Sequence, residues 1–340
     1  MRKGRMKVPK ERERGYYHCI SRVVERRLAF GPAEKEEFVR LMREYEEFCE
    51  VRVLTYCVMS NHFHILLEVP RPPEIKPPAE VILAKLTRLT GHQDVGAARQ
   101  QFEALRQRQD TEGERRWLER YYARMWDVSA FMKLLKQRFT QWYNGRFGRR
   151  GTLWEDRFKS VLVDGAGSAL VTMAAYIDLN PVRAKIHDDP KDYRWSGYGE
   201  AMAGRRRARG GLQTIVTALV GREENLHKTM ELYRMHVYNQ GHEGNETRLP
   251  DGSTDRGALA HAEVLAVLAK KGRVALSDYL GCRVRYFCDG AVFGSREFVD
   301  DVFRQYRARV GEKRRTGARR MRGVEPPLYA LRDLQVRVFG

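Results

Sequence analysis

The sequence predicts an α+β fold: a ferredoxin-like β-α-β-β-α-β unit, drawn as an antiparallel sheet with helices on one face, and then a mostly helical C-terminal region. Three observations carry that prediction. Residues 16–24 alternate and are rich in aromatic and β-branched side chains, as a half-buried strand requires. Apolar residues at 33–50 and at 129–147 recur at helical spacing instead. Two apolar runs, 51–59 and 62–69, are separated only by the short Ser60-Asn61 turn, so they read as a strand pair.

Taken in order, the first helix carries Phe38, Leu41, Met42, Tyr45 and Phe48 on one face. After the strand pair, Pro70-Arg71-Pro72-Pro73 is a clear breaker. A polar segment to residue 127, rich in Arg, Gln and Glu, reads as an insertion that is helical in part, with Leu105, Trp117, Leu118, Tyr121 and Tyr122 supplying apolar surface. The helix at 129–147 places Phe131, Leu134, Leu135, Arg138, Phe139 and Trp142 at successive turns and ends near Gly145 and Gly148. A strand over 153–163 and a helix over 168–180 complete the unit.

The predicted organisation is a domain over 1–200 with its insertion at 70–127, a linker with a helix over 201–257, and a small basic C-terminal region over 258–340. The basic, Gly-flanked stretch 204–211 and the Gly-rich stretch 240–257 read as linkers around a helix at 213–237. Beyond them the pattern gives short helices at 260–268, 277–280 and 296–310, with turns at Asp289-Gly290 and Phe293-Gly294-Ser295. Its clustered charge makes this tail a candidate DNA-binding module.

Composition excludes several classes. With 42% hydrophobic and 31% charged residues in 340, the balance is that of a globular protein. No apolar run approaches the ~20 residues of a spanning helix, and Met1-Arg2-Lys3-Gly4-Arg5-Met6-Lys7 leads into no apolar signal core, so a cytoplasmic protein is expected. Cys19, Cys49, Cys57, Cys282 and Cys288 are odd in number and scattered, which supports neither a disulfide framework nor a zinc knuckle. The formal net charge of +19 points to nucleic acid and hence to a nucleoid-associated protein. The charge is clustered: residues 1–14 carry seven basic and two acidic side chains, residues 301–322 nine and two. Arg2, Lys3 and Arg5 in the first cluster are candidate phosphate contacts.

Three groups of residues carry chemistry. In Asn61-His62-Phe63-His64-Ile65, the imidazoles at i and i+2 of a strand leave one face and can share a metal ion, while Phe63 and Ile65 point into the core. Two His with a carboxamide or carboxylate and open positions suit Mg²⁺ or Mn²⁺ better than a closed zinc site. In Tyr176-Ile177-Asp178-Leu179-Asn180-Pro181, Tyr176 and Asn180 are i and i+4 on one helix face, a nucleophile and a further ligand side by side, with Pro181 ending the helix near Asn180. Arg157 and Lys159 alternate along the last strand and can hold DNA phosphates. Tyr143 is a rival tyrosine without a ligand at i+4.

Tyr17-His18 with Ser21-Arg22, Asn61-His62-Phe63-His64, Gly151-Thr152-Leu153-Trp154 with Arg157-Phe158-Lys159, Tyr176-Ile177 with Asn180-Pro181-Val182-Arg183-Ala184, and Trp195-Ser196 with Tyr198 stand in this order. The set resembles the single-tyrosine HUH transposases, and within them the IS200-like branch associated with repetitive extragenic palindromes (REP). The resemblance spans about residues 1–200. It implies a metal pair at His62 and His64, a nucleophile at Tyr176, a third ligand at Asn180, and DNA contacts that include Arg22. It also implies a substrate, single-stranded DNA beside a hairpin, nicked and rejoined through a 5′-phosphotyrosine link, by a monomer or a homodimer. The insertion at 70–127 and the residues beyond 200 depart from the compact members. Two alternatives stay open: a rolling-circle initiator or relaxase, and a domesticated hairpin-binding protein without chemistry.

Overall fold

The structure, a computed structural model, describes residues 5–9, 11–90, 92–241, 285–288, 290–309, 317–321 and 327–332. β1 (Arg14–Arg22), α1 (Pro32–Phe48), β2 (Arg52–Val58) and β3 (His62–Pro70) follow one another as the sequence predicts. The insertion is wholly helical: α2 (Ala79–Thr90), α3 (His92–Gln107) and α4 (Thr111–Tyr122). α2 packs on α1, α3 on α2 and α4 on α3, and Ile82, Leu83, Phe102, Trp117 and Tyr121 are buried along this stack, which is why so polar a stretch still folds. The unit closes with α5 (Val128–Arg146), begun by the Asp127 side chain accepting from the Ala130 amide, and β4 (Lys159–Val163).

The four strands lie in the order β2-β3-β1-β4, every neighbour antiparallel, which is the ferredoxin-like arrangement. Its two helices, α1 and α5, share one face, where Phe38, Phe63, Ile65, Phe131 and Phe139 form a core. The opposite face, which the sequence leaves bare, is covered as well. There α6 (Ser168–Asp178), the short α7 (Asn180–Arg183) and α8 (Gly197–Met202), then α9 (Arg206–Val220) and α10 (Leu226–Gly241), form a second layer. Leu66, Val161, Leu170, Tyr176, Leu212 and Tyr233 make its core. α6 is apolar all round because it lies between the sheet and the outer helices, and every residue from Ala169 to Asp178 is buried.

Three sequence expectations are corrected. The last strand begins at Lys159, not 153; Leu153 and Trp154 sit in a loop held by an isolated bridge from Trp154 to Val23, and Arg157 lies in a bend. The stretch 204–211 is no linker, since most of it opens α9, and the helix expected over 213–237 is two, divided where Gly221 takes φ +78. The turns expected around 290–295 give way to β5 (Gly290–Gly294), which pairs in parallel with β4 through Leu162–Val292 and Val163–Phe293. After α11 (Arg285–Cys288) and β5 come α12 (Arg296–Gln305), β6 (Arg319–Arg320) and β7 (Tyr329–Arg332). The C-terminal region, expected to be mostly helical, therefore also extends the sheet to seven strands, β2-β3-β1-β4-β5-β7-β6. The helices expected at 260–268 and 277–280 lie outside the described residues.

At the other edge, the Trp195 motif has a structural job. The Val58 amide donates to the Trp195 carbonyl, and Ser196 bridges to Cys57 and caps α8, so part of the β2 edge is closed. Next to it β2 carries a bulge between Val53 and Thr55, and α9 lies on it so closely that a Cβ on Gly211 would stand 2.2 Å from the Leu54 carbonyl oxygen. Gly210, its neighbour, faces open space. Gly211→Ala should therefore cost about 1–3 kcal/mol by pushing α9 off β2, whereas Gly210→Ala should be neutral or stabilise by up to about 1 kcal/mol. Urea unfolding of the two variants checks the contrast.

Candidate active site

β3 presents His62, His64 and Leu66 to one side and Phe63, Ile65 and Leu67 to the other, the two-residue period the sequence predicts. The imidazole rings of His62 and His64 lie 5.1 Å apart between centroids. Both belong to the face covered by α6, so His64 is only 3% exposed and His62 is partly covered. Burial pushes His62 down to about 4, helped by the Arg22 guanidinium on the neighbouring strand, and holds His64 well below the usual imidazole range. Both rings are therefore neutral at pH 7, the state in which imidazole nitrogens bind a metal.

Their hydrogen bonds are specific. His62 Nδ1 lies 2.7 Å from Asn61 Oδ1, and Asn61 Nδ2 donates to the Arg26 carbonyl at 3.0 Å. With its amide group so oriented, Asn61 can only accept from His62, which puts the His62 proton on Nδ1 and leaves Nε2 with its lone pair. His64 Nδ1 lies 2.9 Å from Nε2 of His18 on β1, and His18 Nδ1 lies 2.9 Å from the Phe287 carbonyl on α11.

α6 brings Tyr176 to the same place. Its ring centroid is 5.8 Å from that of His64 and 5.9 Å from that of His18. Phe287 stacks on its other side at 4.6 Å, and the hydroxyl lies 2.9 Å from the Cys288 thiol. Tyr176 is 2% exposed, and burial raises its phenol well above the ordinary value, opposed in part by Arg183. The Arg183 guanidinium carbon stands 4.7 Å from the Tyr176 ring centroid, and its Nη1 is buried without a hydrogen-bond partner among the described residues.

The rotation of α6 is fixed by Asp178, which accepts from Thr55 Oγ1 on β2 at 2.6 Å and from the Tyr233 hydroxyl on α10. Asn180 sits one turn beyond Tyr176, just past the end of α6 at Asp178, where the sequence expects the helix to end. Pro181 enters as the first turn of α7, and its missing N–H frees the Ile177 carbonyl. Asn180 Nδ2 takes over, donating to the Ile177 carbonyl at 3.1 Å and to that of Tyr176 at 2.9 Å. The amide nitrogen is thereby committed to the helix, and Oδ1, the atom a cation would take, is not part of that bonding.

The cations named by the sequence are divided. Arg22 is directly opposite His62 in the β1–β3 register and exposed. Arg157 and Lys159 are exposed beside β4. Arg5 instead packs within the protein, its guanidinium 3.3 Å over the Phe158 ring and bonded to the Ser160 hydroxyl and the Phe158 carbonyl. Arg2 and Lys3 lie outside the described residues. Tyr143 is in the other core, packed on Phe139 and Phe147, with the sheet between it and the histidines. His18, Asn61, Arg183 and Cys288 acquire their places only through strand register and tertiary packing; His18 and Arg183 stand within quoted motifs, but their spacing alone assigns them nothing.

Among the described residues no group of three or more His, Cys, Asp or Glu side chains could hold a metal ion. Residues 11–127 match the family model described as Transposase IS200 like. That segment is similar to the IS200-like transposases. The matched segment runs from just before β1 past α4 and holds His18, His62 and His64, while Tyr176 and Asn180 lie beyond it. Among solved structures, a REP-associated tyrosine transposase bound to a REP hairpin resembles the chain with a TM-score of 0.37 and 12% identity, over 60% of this chain and 85% of that one. No curated protein sequence matches. No helix among the described residues is long and apolar enough to cross a membrane.

Burial pushes Asp178 up to about 7, against the donors Thr55 and Tyr233 and a backbone bond at Tyr198 that pull it down. Its folded form therefore holds a proton more tightly than the unfolded chain does. The resulting stabilisation is complete below about pH 4, declines as pH rises to about 7, and is flat above. Asp178→Asn should remove this decline, so its Tm should fall less than that of the parent between about pH 4 and pH 7.

Proposed function

We propose that the chain is a transposase of the REP-associated kind that nicks and rejoins single-stranded DNA at hairpins through Tyr176, with Mg²⁺ or Mn²⁺ at His62, His64 and Asn180. One observation carries this reading most strongly: of the two tyrosines in question, Tyr176 packs on His64, which in turn packs on His62, and Tyr143 lies across the sheet. The donor set fits a hard cation. Asn61 leaves His62 Nε2 bare, and the Asn180 oxygen is the amide atom not spent on the helix.

Bound there, the cation would neutralise charge on the scissile phosphate. The remaining work belongs to the chain. The Tyr176 oxygen forms a bond to phosphorus while the P–O3′ bond breaks; the phenol gives up one proton and the departing 3′ oxygen gains one. The bond energy is kept in a 5′-phosphotyrosine, so the reverse attack by a 3′-hydroxyl rejoins DNA. Arg183, charged and half-satisfied beside the phenol, stabilises both the phenolate and the phosphate oxygens. Arg22, Arg157 and Lys159 offer exposed charge for the flanking backbone, in keeping with a net charge of +19.

A non-catalytic hairpin-binding protein is the second reading, favoured by the cover over Tyr176: a phosphate reaches the hydroxyl only once Phe287 and Cys288 move aside. Labelled hairpin DNA with a single-stranded flank, incubated with Mn²⁺, separates the two. A covalent protein–DNA adduct should form, vanish in Tyr176→Phe and persist in Tyr143→Phe. No adduct under any condition, with hairpin binding intact, would favour the second reading, and loss in Tyr143→Phe alone would overturn the nucleophile.

A further inference from the structure

Three features lie outside the chemistry described so far: the buried Thr55–Asp178–Tyr233 triad, a basic cavity of about 380 Å³ lined by Tyr45, Arg124, Lys133 and Arg138, and the wholly buried His18. The triad is fully used in holding α6, and nothing in the cavity selects a ligand. His18 is different, because its two hydrogen bonds leave it no choice of proton position.

The carbonyl of Phe287 can only accept, so His18 Nδ1, 2.9 Å away, carries a proton. His18 is 0% exposed and neither of its partners is a carboxylate, so the ring is neutral and its Nε2 is bare. That bare nitrogen is 2.9 Å from His64 Nδ1 and must accept from it. His64 is then protonated on Nδ1 and bare on Nε2. His62 reaches the same state by a separate route through Asn61 and the Arg26 carbonyl. Two independent chains of bonds, each ending on a main-chain carbonyl, thus leave the same nitrogen free on both rings.

We propose that His18 is a positioning residue for metal binding: it locks His64 in the tautomer and ring orientation that offer Nε2 to the cation, and the Phe287 carbonyl sets His18 in turn. The proposal rests on the metal reading given above. It also gives α11 a second part beside covering Tyr176, because the segment that shields the nucleophile supplies the last acceptor of the relay.

The test separates reach from polarity. In His18→Gln the side-chain oxygen can stand near the imidazole Nε2 position and accept from His64; in His18→Asn the shorter amide can still donate to Phe287 but does not reach His64. Mn²⁺ alone is titrated and its free concentration read by electron paramagnetic resonance. His18→Asn should bind about 10–100-fold more weakly than the parent and His18→Gln nearly as well as it. In the metal-free parent, two-bond ¹H–¹⁵N correlations should show His64 protonated on Nδ1. Equal Mn²⁺ affinity in the Asn and Gln variants, or a proton on His64 Nε2, overturns the relay. His64→Ala tells which idea has failed. If it loses Mn²⁺ while His18→Asn does not, the relay alone is wrong; if it binds like the parent, or the parent binds none, the metal reading falls and takes the relay with it.

Discussion

The antiparallel register between β1 and β3 is the constraint from which the site follows. It sets Arg22 opposite His62 and Ile20 opposite His64, which leaves His18 on the diagonal from His64 and on the same face. A slip of one residue in β3 would turn His62 and His64 into the aromatic core beside Phe38 and bring Phe63 against α6, and the same slip in β1 would turn His18 and Arg22 away from them. Both faces of this sheet are packed, so such a slip loses two cores at once. The site is held in place by apolar packing that has no chemical role of its own.

The second helical layer changes what the histidines are. On a bare face they would be solvated side chains with ordinary acidity. Under α6 they are neutral, closely paired with polar partners, and set against a phenol whose ionisation burial opposes. In such surroundings each hydrogen bond is worth more than in water, and each unpaired charge costs more. Arg183 packs on Tyr176 with its Nη1 buried and without a hydrogen-bond partner among the described residues.

How much of this could be read beforehand depended on the range of the interaction involved. Local periodicity was enough for β1, α1, β3 and α5, and for the shared face of His62 and His64. It was enough also to put Tyr176 and Asn180 on one side of a helix that ends near Asn180, though not to see that the Asn180 amide takes over the Ile177 carbonyl. Residues 153–158 carry a strand-like pattern, yet only Trp154 finds a strand partner there, so an extended appearance produced a loop. Gly210 and Gly211 look like linker residues in isolation; the second is where a helix backbone meets a strand backbone. Phe293 looks like part of a turn until β4 offers it a ladder. His18 was visible only as one letter of a motif, because its meaning lies in a register and in a carbonyl at the far end of the chain.

That carbonyl is 269 residues from His18 in sequence. A ribosome adding ~5–20 residues per second would need on the order of tens of seconds to cover the distance, long enough for an N-terminal unit to fold first. The four strands of the ferredoxin-like sheet, both histidines of β3 and Tyr176 would all have emerged before Phe287 existed. A nascent chain therefore passes through a period in which it holds Tyr176 without Phe287 stacked on it and the histidine pair without its final anchor. Completion of this cluster is in this sense timed by translation, because its last hydrogen bond waits for Phe287.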